Sequence, residues 1–254
     1  MNKILLTHSL STKDGSNVLV VGSCRTGKTD FFIKPNLFSL KDSVIVISKD
    51  SDKLFEETAS YRKDKFKQKI FTEKDFINRE NLDFMGDNFT LYLTGSAIDE
   101  DDRIDLMMKG FNWISENLYQ NPPKKPITII IDDLLLFPIA ENDDNLLHKT
   151  KNIRIVATVQ SMDHIKINYR RYNDILKLFE IKMFFHVNNL SDAEYIKDLY
   201  CPEISIEEIL QLKSNECLIF GFFKSDDVIL ANDKINHWFR YGKTKDRCSL
   251  PRFL

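Results

Sequence analysis

Asn17-Val18-Leu19-Val20-Val21-Gly22-Ser23-Cys24-Arg25-Thr26-Gly27-Lys28-Thr29 decides how the rest of the chain is read. A short β-branched run meets Gly22, and from there the residues fit GxxxxGK[ST] before a helical segment begins. Glycines let the backbone turn tightly enough for successive N–H groups to face phosphate oxygens. The helix N-terminus that follows adds positive potential at the same place. Lys28 is expected to reach the β- and γ-phosphates. Thr29 is expected to offer its hydroxyl to Mg2+, an ion that takes oxygen ligands and is held largely through nucleotide phosphates. The expected nucleotide-binding residues are Gly22, Ser23, Cys24, Arg25, Thr26, Gly27, Lys28, Thr29 and Asp30.

Working outward, the chain alternates short apolar runs with segments of helical period, the pattern of a mostly parallel sheet flanked by helices. Strands are expected over residues 17–21, 43–47, 68–71, 89–93, 127–131, 153–159, 182–186 and 217–222. Several are continuously apolar, as strands buried on both faces should be. Ile104, Met107, Met108, Phe111, Ile114 and Leu118 recur at helical spacing, with Trp113 read as packing on the same helix. Two further helices are announced by capping boxes, Ser191-Asp192-Ala193-Glu194 and Ser205-Ile206-Glu207-Glu208.

A phosphate loop needs an acidic strand end to hold its metal, and Ile127-Thr128-Ile129-Ile130-Ile131-Asp132-Asp133 has that form. Asp132 is the expected Mg2+ partner. Asp133 is the expected base, one methylene shorter than the glutamate usual there, and a misplacement of about 1 Å can cost about 100-fold in rate. The strand over 153–159 ends in Gln160-Ser161, where Gln160 could sense the γ-phosphate. Lys28, Asp133 and Gln160 are thus the expected catalytic set, with Thr29 and Asp132 on the metal. No NKxD tetrapeptide occurs, so ATP rather than GTP is the expected nucleotide.

Composition sets outer limits. With 254 residues, 43% hydrophobic, and only 8 Gly and 7 Pro, the chain can bury a core, which excludes disorder and collagen. A net charge of −2 advertises no global field for nucleic acid, so any such contact must be local. The 4 cysteines form no CxxC pair, which argues against zinc and a disulfide framework and for a reducing cytoplasm. No run approaches the ~18 apolar residues of a membrane helix, so no intrinsic membrane segment is expected. The expected domains are a nucleotide-binding unit over 1–237 and a basic tail over 238–254, read as a docking arm.

Taken together these residues resemble the TraG/TraD family of conjugative coupling proteins, the DNA-translocating ATPases of type IV secretion. The telling segment is Phe31-Phe32-Ile33-Lys34-Pro35-Asn36-Leu37 followed by Ser43-Val44-Ile45-Val46-Ile47. Pro35 so close to Lys28 is expected to break or kink the loop's helix near Lys34. Leu54 to Tyr61 resembles the family's helix after the second strand, Asp132-Asp133 its Asp-Glu, and Val159-Gln160-Ser161 its sensor strand end. Lys182 to His186 resembles a later strand, and Asn215 to Phe220 the final hairpin. The resemblance implies an α/β, RecA-like P-loop NTPase with a mostly parallel central sheet. It implies an ATP- and Mg2+-dependent motor that acts on single- or double-stranded DNA as a homo-oligomeric ring. It also implies a cytoplasmic protein placed at the inner face of the membrane by membrane-bound secretion components.

Three departures bear on that reading. The stretch between Phe71 and Phe89 is too short for the family's all-helical insert. The Asp-Pro-Lys-Gly-Glu turn after the second strand is here Ser48-Lys49-Asp50-Ser51-Asp52. The family's trans-acting arginine has no clear counterpart: Lys149, Lys151 and Arg154 lie in the right region, and a lysine cannot reproduce the planar fork that arginine offers a phosphoryl group. Tyr61 through Lys69 and Tyr169-Arg170-Arg171-Tyr172 are the two places where cations sit beside aromatics and could follow a DNA backbone. The alternative function is a nucleotide-binding adaptor of a secretion or mobile-element complex with little hydrolysis. A small-molecule kinase would need an arginine-bearing lid, and none is visible.

Overall fold

The computed structural model describes residues 3–6, 17–72, 88–93, 100–134, 152–170, 172–213, 216–221, 228–231 and 238–239. Its strands are β1 Lys3–Leu6, β2 Val18–Val21, β3 Ser43–Ile47, β4 Lys67–Phe71, β5 Phe89–Leu93, β6 Ile127–Ile131 and β7 Ile153–Val159. They continue with β8 Ile181–Phe184, β9 Leu218–Gly221, β10 Val228–Ala231 and β11 Trp238–Phe239. Nine strands form one sheet in the order β11-β9-β8-β2-β7-β6-β3-β5-β4, and β1 pairs with β10 in a second, two-stranded sheet. Within the large sheet the pairings are parallel except between β8 and β9. The expected mostly parallel α/β architecture is therefore present, and every strand expected from the sequence is found with its ends only slightly shifted.

Parallel strands must be joined by crossovers, and helices cover both faces. Val18, Val20, Val44, Val46, Ile130 and Val156 face one layer with Phe32, Ile33, Leu37 and Leu54, from the segment after the phosphate loop and from α2 (Ser51–Arg62). Leu19, Val21, Ile45, Ile129, Ile131 and Ile155 face the opposite layer. There they meet Met107, Phe111, Ile114 and Leu118 of α3 (Glu100–Gln120), so the helical spacing seen in the sequence is the buried stripe of that helix. Trp113 packs from the same helix, stacked on Phe71 with ring centroids 5.1 Å apart. Further described helices are α4 (Met162–Asn168), α5 (Tyr172–Leu178), α6 (Leu190–Tyr200) and α7 (Ile206–Leu210).

The segment behind the phosphate loop shows what Pro35 does. Lys28–Ile33 is a π-helical turn that runs on into α1 (Lys34–Ser39), and Pro35 sits in the first turn of α1. A proline in a helix collides with the carbonyl four residues back and removes one N–H. Widening the preceding turn to i→i+5 bonds shifts the carbonyls away from the ring, and Lys34 N–H accordingly reaches the Thr29 carbonyl. The expected break at Lys34 is thus a change of helix type with no interruption of the chain direction. Asn36, buried, donates its side-chain amide to the Phe32 carbonyl at 2.7 Å.

Several expectations are corrected. The helix after β8 is capped by Asn189, whose side chain accepts from Asp192 N–H, and not by Ser191. The Ser205–Glu208 capping box, in contrast, makes both of its bonds. The segment compared with the final hairpin forms β9, which pairs antiparallel with β8 and parallel with β11, while β10 pairs with β1. Trp238 and Phe239 pair with Leu218 and Ile219, so the sheet extends past the boundary drawn at residue 238. Residues 240–254 lie outside the described residues, as do Lys149, Lys151 and Cys248.

Candidate functional site

In an open parallel sheet ligands bind beyond the carboxyl ends of the strands, at the point where connections leave in opposite directions. β2 is that point here, since the chain leaves it to form β3 beyond β7 and β6, while β8 lies on its other side. The phosphate loop springs from the end of β2. Gly22 N–H is held by the Val159 carbonyl at 3.1 Å and Ser23 N–H by the His186 carbonyl at 3.0 Å, so both neighbouring strands fix the start of the loop. Thr26 closes it from within by donating its hydroxyl to the Ser23 carbonyl at 2.8 Å.

Both motif glycines are required by geometry. A Cβ on Gly22 would lie 2.7 Å from Phe185 Cβ and 2.9 Å from Thr26 Oγ1. Gly27 has φ +88°, and a Cβ there would come within 2.1 Å of the Phe31 ring. Cys24 and Arg25 are exposed at the crown of the loop, and Arg25 itself has φ 62°. Lys28 donates to the carbonyls of Gly22 and Ser23. Thr29 is half-buried beside it, and Asp30 is exposed and paired with Lys34 at 2.7 Å.

The acidic residues enter from β6. Ile131 lies opposite Ile47 on one side and Ala157 on the other, so the next positions, Ser48, Asp132 and Thr158, form a row across three strand ends. Asp132 accepts a hydroxyl bond from Thr158 on Oδ1 at 2.8 Å and one from Ser48 on Oδ2 at 3.3 Å. Burial pushes its carboxyl above the usual carboxylate range, and Asp133 adds to this while Thr158, Lys28 and Ser48 oppose it. Burial likewise holds Lys28 below the ordinary lysine value, with the attraction of Asp132 as the main opposing influence. The two charges therefore feel each other across the site.

Asp133 stands in the left-handed region at φ 66°, its N–H accepted by Thr158 Oγ1 at 2.9 Å. Asp133 Oδ2 accepts from Gln160 Nε2 at 3.0 Å, and Gln160 Oε1 in turn lies 3.1 Å from Cys24 Sγ. The loop, Asp132, Asp133 and Gln160 are thus brought together as the sequence implied. Ser48 and Thr158 were missed. Their signal was present in the strand register, since each is a hydroxyl one step beyond residues paired with Ile131.

A hard divalent cation fits this donor set. Thr29 and Asp132 offer oxygens, and Asp133 Oδ1 is a buried oxygen with no hydrogen-bond partner among the described residues. No cluster of three or more His, Cys, Asp or Glu side chains suited to a metal occurs among the described residues. An ion held mainly through phosphates needs none.

Other residues singled out in the sequence lie elsewhere. Arg154 is buried near the opposite end of β7, with its guanidinium on Thr128 at 2.8 Å and Asp42 at 3.5 Å. It cannot reach into a neighbouring subunit's site. Arg62, within the first basic-aromatic stretch, is also buried, donating to Thr90 Oγ1 and to the carbonyls of Leu37, Leu40 and Asp42, so it is withdrawn from any DNA surface. Tyr169 is buried, and its hydroxyl donates to the Leu134 carbonyl at 2.9 Å. No described helix is long and apolar enough to cross a membrane.

Comparison with known proteins places these features. Residues 3–84 match the family model described as Type IV secretory system Conjugative DNA transfer. No curated protein matches the chain by sequence. Among solved structures, the bacterial conjugative coupling protein TrwB in an unbound form superposes with a TM-score of 0.60 at 11% identity, over 84% of this chain and 83% of that one. TrwB in complex with the non-hydrolysable GTP analogue GDPNP gives 0.56 at 12%, over 84% of each chain. The genome packaging NTPase of Sulfolobus turreted icosahedral virus 2 with sulfate gives 0.54 at 14%, over 88% of this chain and 98% of that one. At such identities the likeness is one of fold, and the fold is that of the P-loop NTPases. The phosphate loop and its Pro-Asn-Leu continuation lie within the residues matched by the conjugative DNA-transfer family model, in keeping with the resemblance to TraG/TraD-type coupling proteins read from the sequence.

Proposed function

We propose that the chain is the ATP-hydrolysing motor domain of a coupling-protein-type DNA-transfer machine. One observation carries this reading: the Gly22–Thr29 loop, Asp132, Asp133 and Gln160 converge at the carboxyl ends of β2, β6 and β7, with hydrogen bonds linking Cys24 to Gln160 and Gln160 to Asp133. The loop's N–H groups and Lys28 neutralise charge on the transferring phosphoryl group, which is where positioning and electrostatics do most of the catalysis. Thr29 and Asp132 would hold Mg2+, which when bound would supply charge neutralisation on the phosphate oxygens. Asp133 takes the proton of the attacking water, and Gln160 orients that water while fixing the Asp133 carboxylate. ATP is the nucleotide proposed. DNA is the proposed substrate, and a homo-oligomeric ring at the inner face of the membrane, tied there by secretion components, is the proposed working form. Residues 240–254 are proposed as a basic arm outside the motor.

The test is ATP turnover with and without single-stranded DNA, comparing the full chain with Lys28→Ala and Asp133→Asn. Turnover that rises with DNA and disappears in both variants is expected. Turnover indifferent to DNA removes the motor reading.

The short stem of Asp133, together with the bond that ties its carboxylate to Gln160, favours a second reading, an adaptor that binds nucleotide and scarcely hydrolyses it. Asp133→Glu separates the two: a silent adaptor should gain turnover, whereas a working motor should change little.

A further inference from the structure

We infer that Thr158 is a positioning residue that sets both carboxylates of the site through a single hydroxyl. This inference rests on the reading above that Asp132 holds Mg2+ and Asp133 serves as base. A hydroxyl has one proton to give. Thr158 Oγ1 gives it to Asp132 Oδ1 at 2.8 Å and, on its lone pair, accepts the N–H of Asp133 at 2.9 Å. The side chain is 1% exposed, so neither bond has water as a ready substitute.

The geometry makes the hydroxyl a hinge pin between two functions. On one side it aims the carboxylate that faces Lys28. On the other it anchors the backbone of Asp133, which stands at φ 66°, a region a non-glycine residue keeps only when its surroundings hold it there. Without the Thr158 bond nothing on the β7 side retains the Asp133 N–H, and the residue is free to relax towards the commoner backbone region. That movement would turn the carboxylate away from Gln160. Ser48 completes the arrangement from β3, donating to Asp132 Oδ2 at 3.3 Å while its Oγ accepts Asp50 N–H at 3.1 Å. Asp132 is therefore clamped on both oxygens, with the shorter bond from Thr158.

A purely structural hydroxyl is the competing account, and the same sheet supplies one for comparison. Thr128 on β6 accepts from Arg154 at 2.8 Å at the far end of the strands, away from the loop. The two accounts differ in what removal does to metal-dependent binding. Groups that orient a metal-binding carboxylate typically cost about 10- to 100-fold in metal affinity or activity when removed.

The experiment is calorimetric titration of ATP into the full chain, wild type, Thr158→Val and Thr158→Ser, with Mg2+ and again in EDTA. For Thr158→Val, binding in Mg2+ should weaken by about 10-fold or more. Binding in EDTA should be unchanged, and Thr158→Ser should restore the Mg2+ advantage. Equal weakening with and without Mg2+, or no weakening in either, overturns the inference. Should Thr158→Val fail to fold, Ser48→Ala, which frees Asp132 Oδ2 and the Asp50 N–H but leaves the Thr158 bonds in place, should lower binding in Mg2+ by a smaller factor while sparing binding in EDTA; no selective loss overturns the two-sided clamp. A wild type that binds no ATP under either condition instead removes the nucleotide reading itself, an outcome distinct from an altered ratio among the variants.

Discussion

The two ends of the central sheet treat buried charge in opposite ways. At the amino ends of the strands, Arg62 is enclosed and gives its protons to Thr90 and to the carbonyls of Leu37, Leu40 and Asp42, while its guanidinium lies 3.9 Å from the centre of the Phe66 ring. Burial lowers its pKa to about 10, so it stays charged at neutral pH. At the carboxyl ends, Asp132 and Lys28 are each pushed towards neutrality by burial, Asp133 stands in a left-handed conformation, and its Oδ1 lacks a partner among the described residues. At the amino end Arg62 spends its protons on closing the fold, while Arg154 keeps Nε and Nη1 unmatched among the described residues and Asn152 stands at φ 69°. At the carboxyl end the left-handed residue and the unmatched oxygen belong to one carboxylate beside the phosphate loop, the condition expected where a ligand completes the structure.

That contrast is most sharply tested at Lys28. Lys28→Ala removes a cation that opposes burial of Asp132 but none of the core, so it should leave the unfolding midpoint nearly unchanged. It should lower ATP turnover by about 1000-fold, the upper range for loss of one transition-state donor. A large loss of stability with partial turnover would erase the distinction between the two ends.

The next effect belongs to the amino end. Arg62→Met strands the Leu37, Leu40 and Asp42 carbonyls and leaves Thr90 Oγ1 only its 3.3 Å bond from Gln68, and each orphaned group costs about 1–3 kcal/mol. A loss of about 3 kcal/mol or more is expected in urea unfolding. Arg154→Met should cost less, about 1–2 kcal/mol, because Nε and Nη1 of Arg154 have no partner among the described residues and the ion pair to Asp42 is long at 3.5 Å. Equal losses for the two variants would mean that partner count does not govern how this end tolerates charge.

How much of this was readable in the sequence follows from the same physics. The strands β2, β3, β5, β6 and β7 of the large sheet are buried on both faces, which forces continuous runs such as Ile127-Thr128-Ile129-Ile130-Ile131, and such runs are visible without any knowledge of pairing. β1, β10 and β11 are short, and β1 finds its partner more than two hundred residues away, so no local pattern marks them. Arg62 looked like part of a cationic surface because composition shows that a charge exists and not which way the helix turns it. Pro35 was legible as a disturbance, whereas its resolution into a π turn over Lys28–Ile33 has no sequence pattern of its own. Ser48 and Thr158 carry no motif, and only the register of β3, β6 and β7 brings them to Asp132.

The smallest expected effect concerns the helix that supports the site end. Ser191 and Glu194 satisfy the spacing of a capping box as well as Ser205 and Glu208 do, yet only the second pair uses it. The reason is competition. Asn189, two residues earlier, accepts Asp192 N–H at 2.6 Å and donates to Asp192 Oδ2 at 2.9 Å. Asp192 Oδ1 in turn takes the Ser161 hydroxyl at 3.1 Å and Met162 N–H at 3.0 Å, just past Gln160. The cap that ties the helix to the sensor strand therefore displaces the one that would serve the helix alone, and Ser191 turns its hydroxyl to Asp163 on the surface. Asn189→Ala should then cost about 1 kcal/mol in unfolding, as loss of a cap does. Ser191→Ala should stay within about 0.5 kcal/mol. If Ser191→Ala proved the costlier of the two, the helix would be held by its own sequence and not by the site it supports, and the site end would owe its order to local capping just as α7 does.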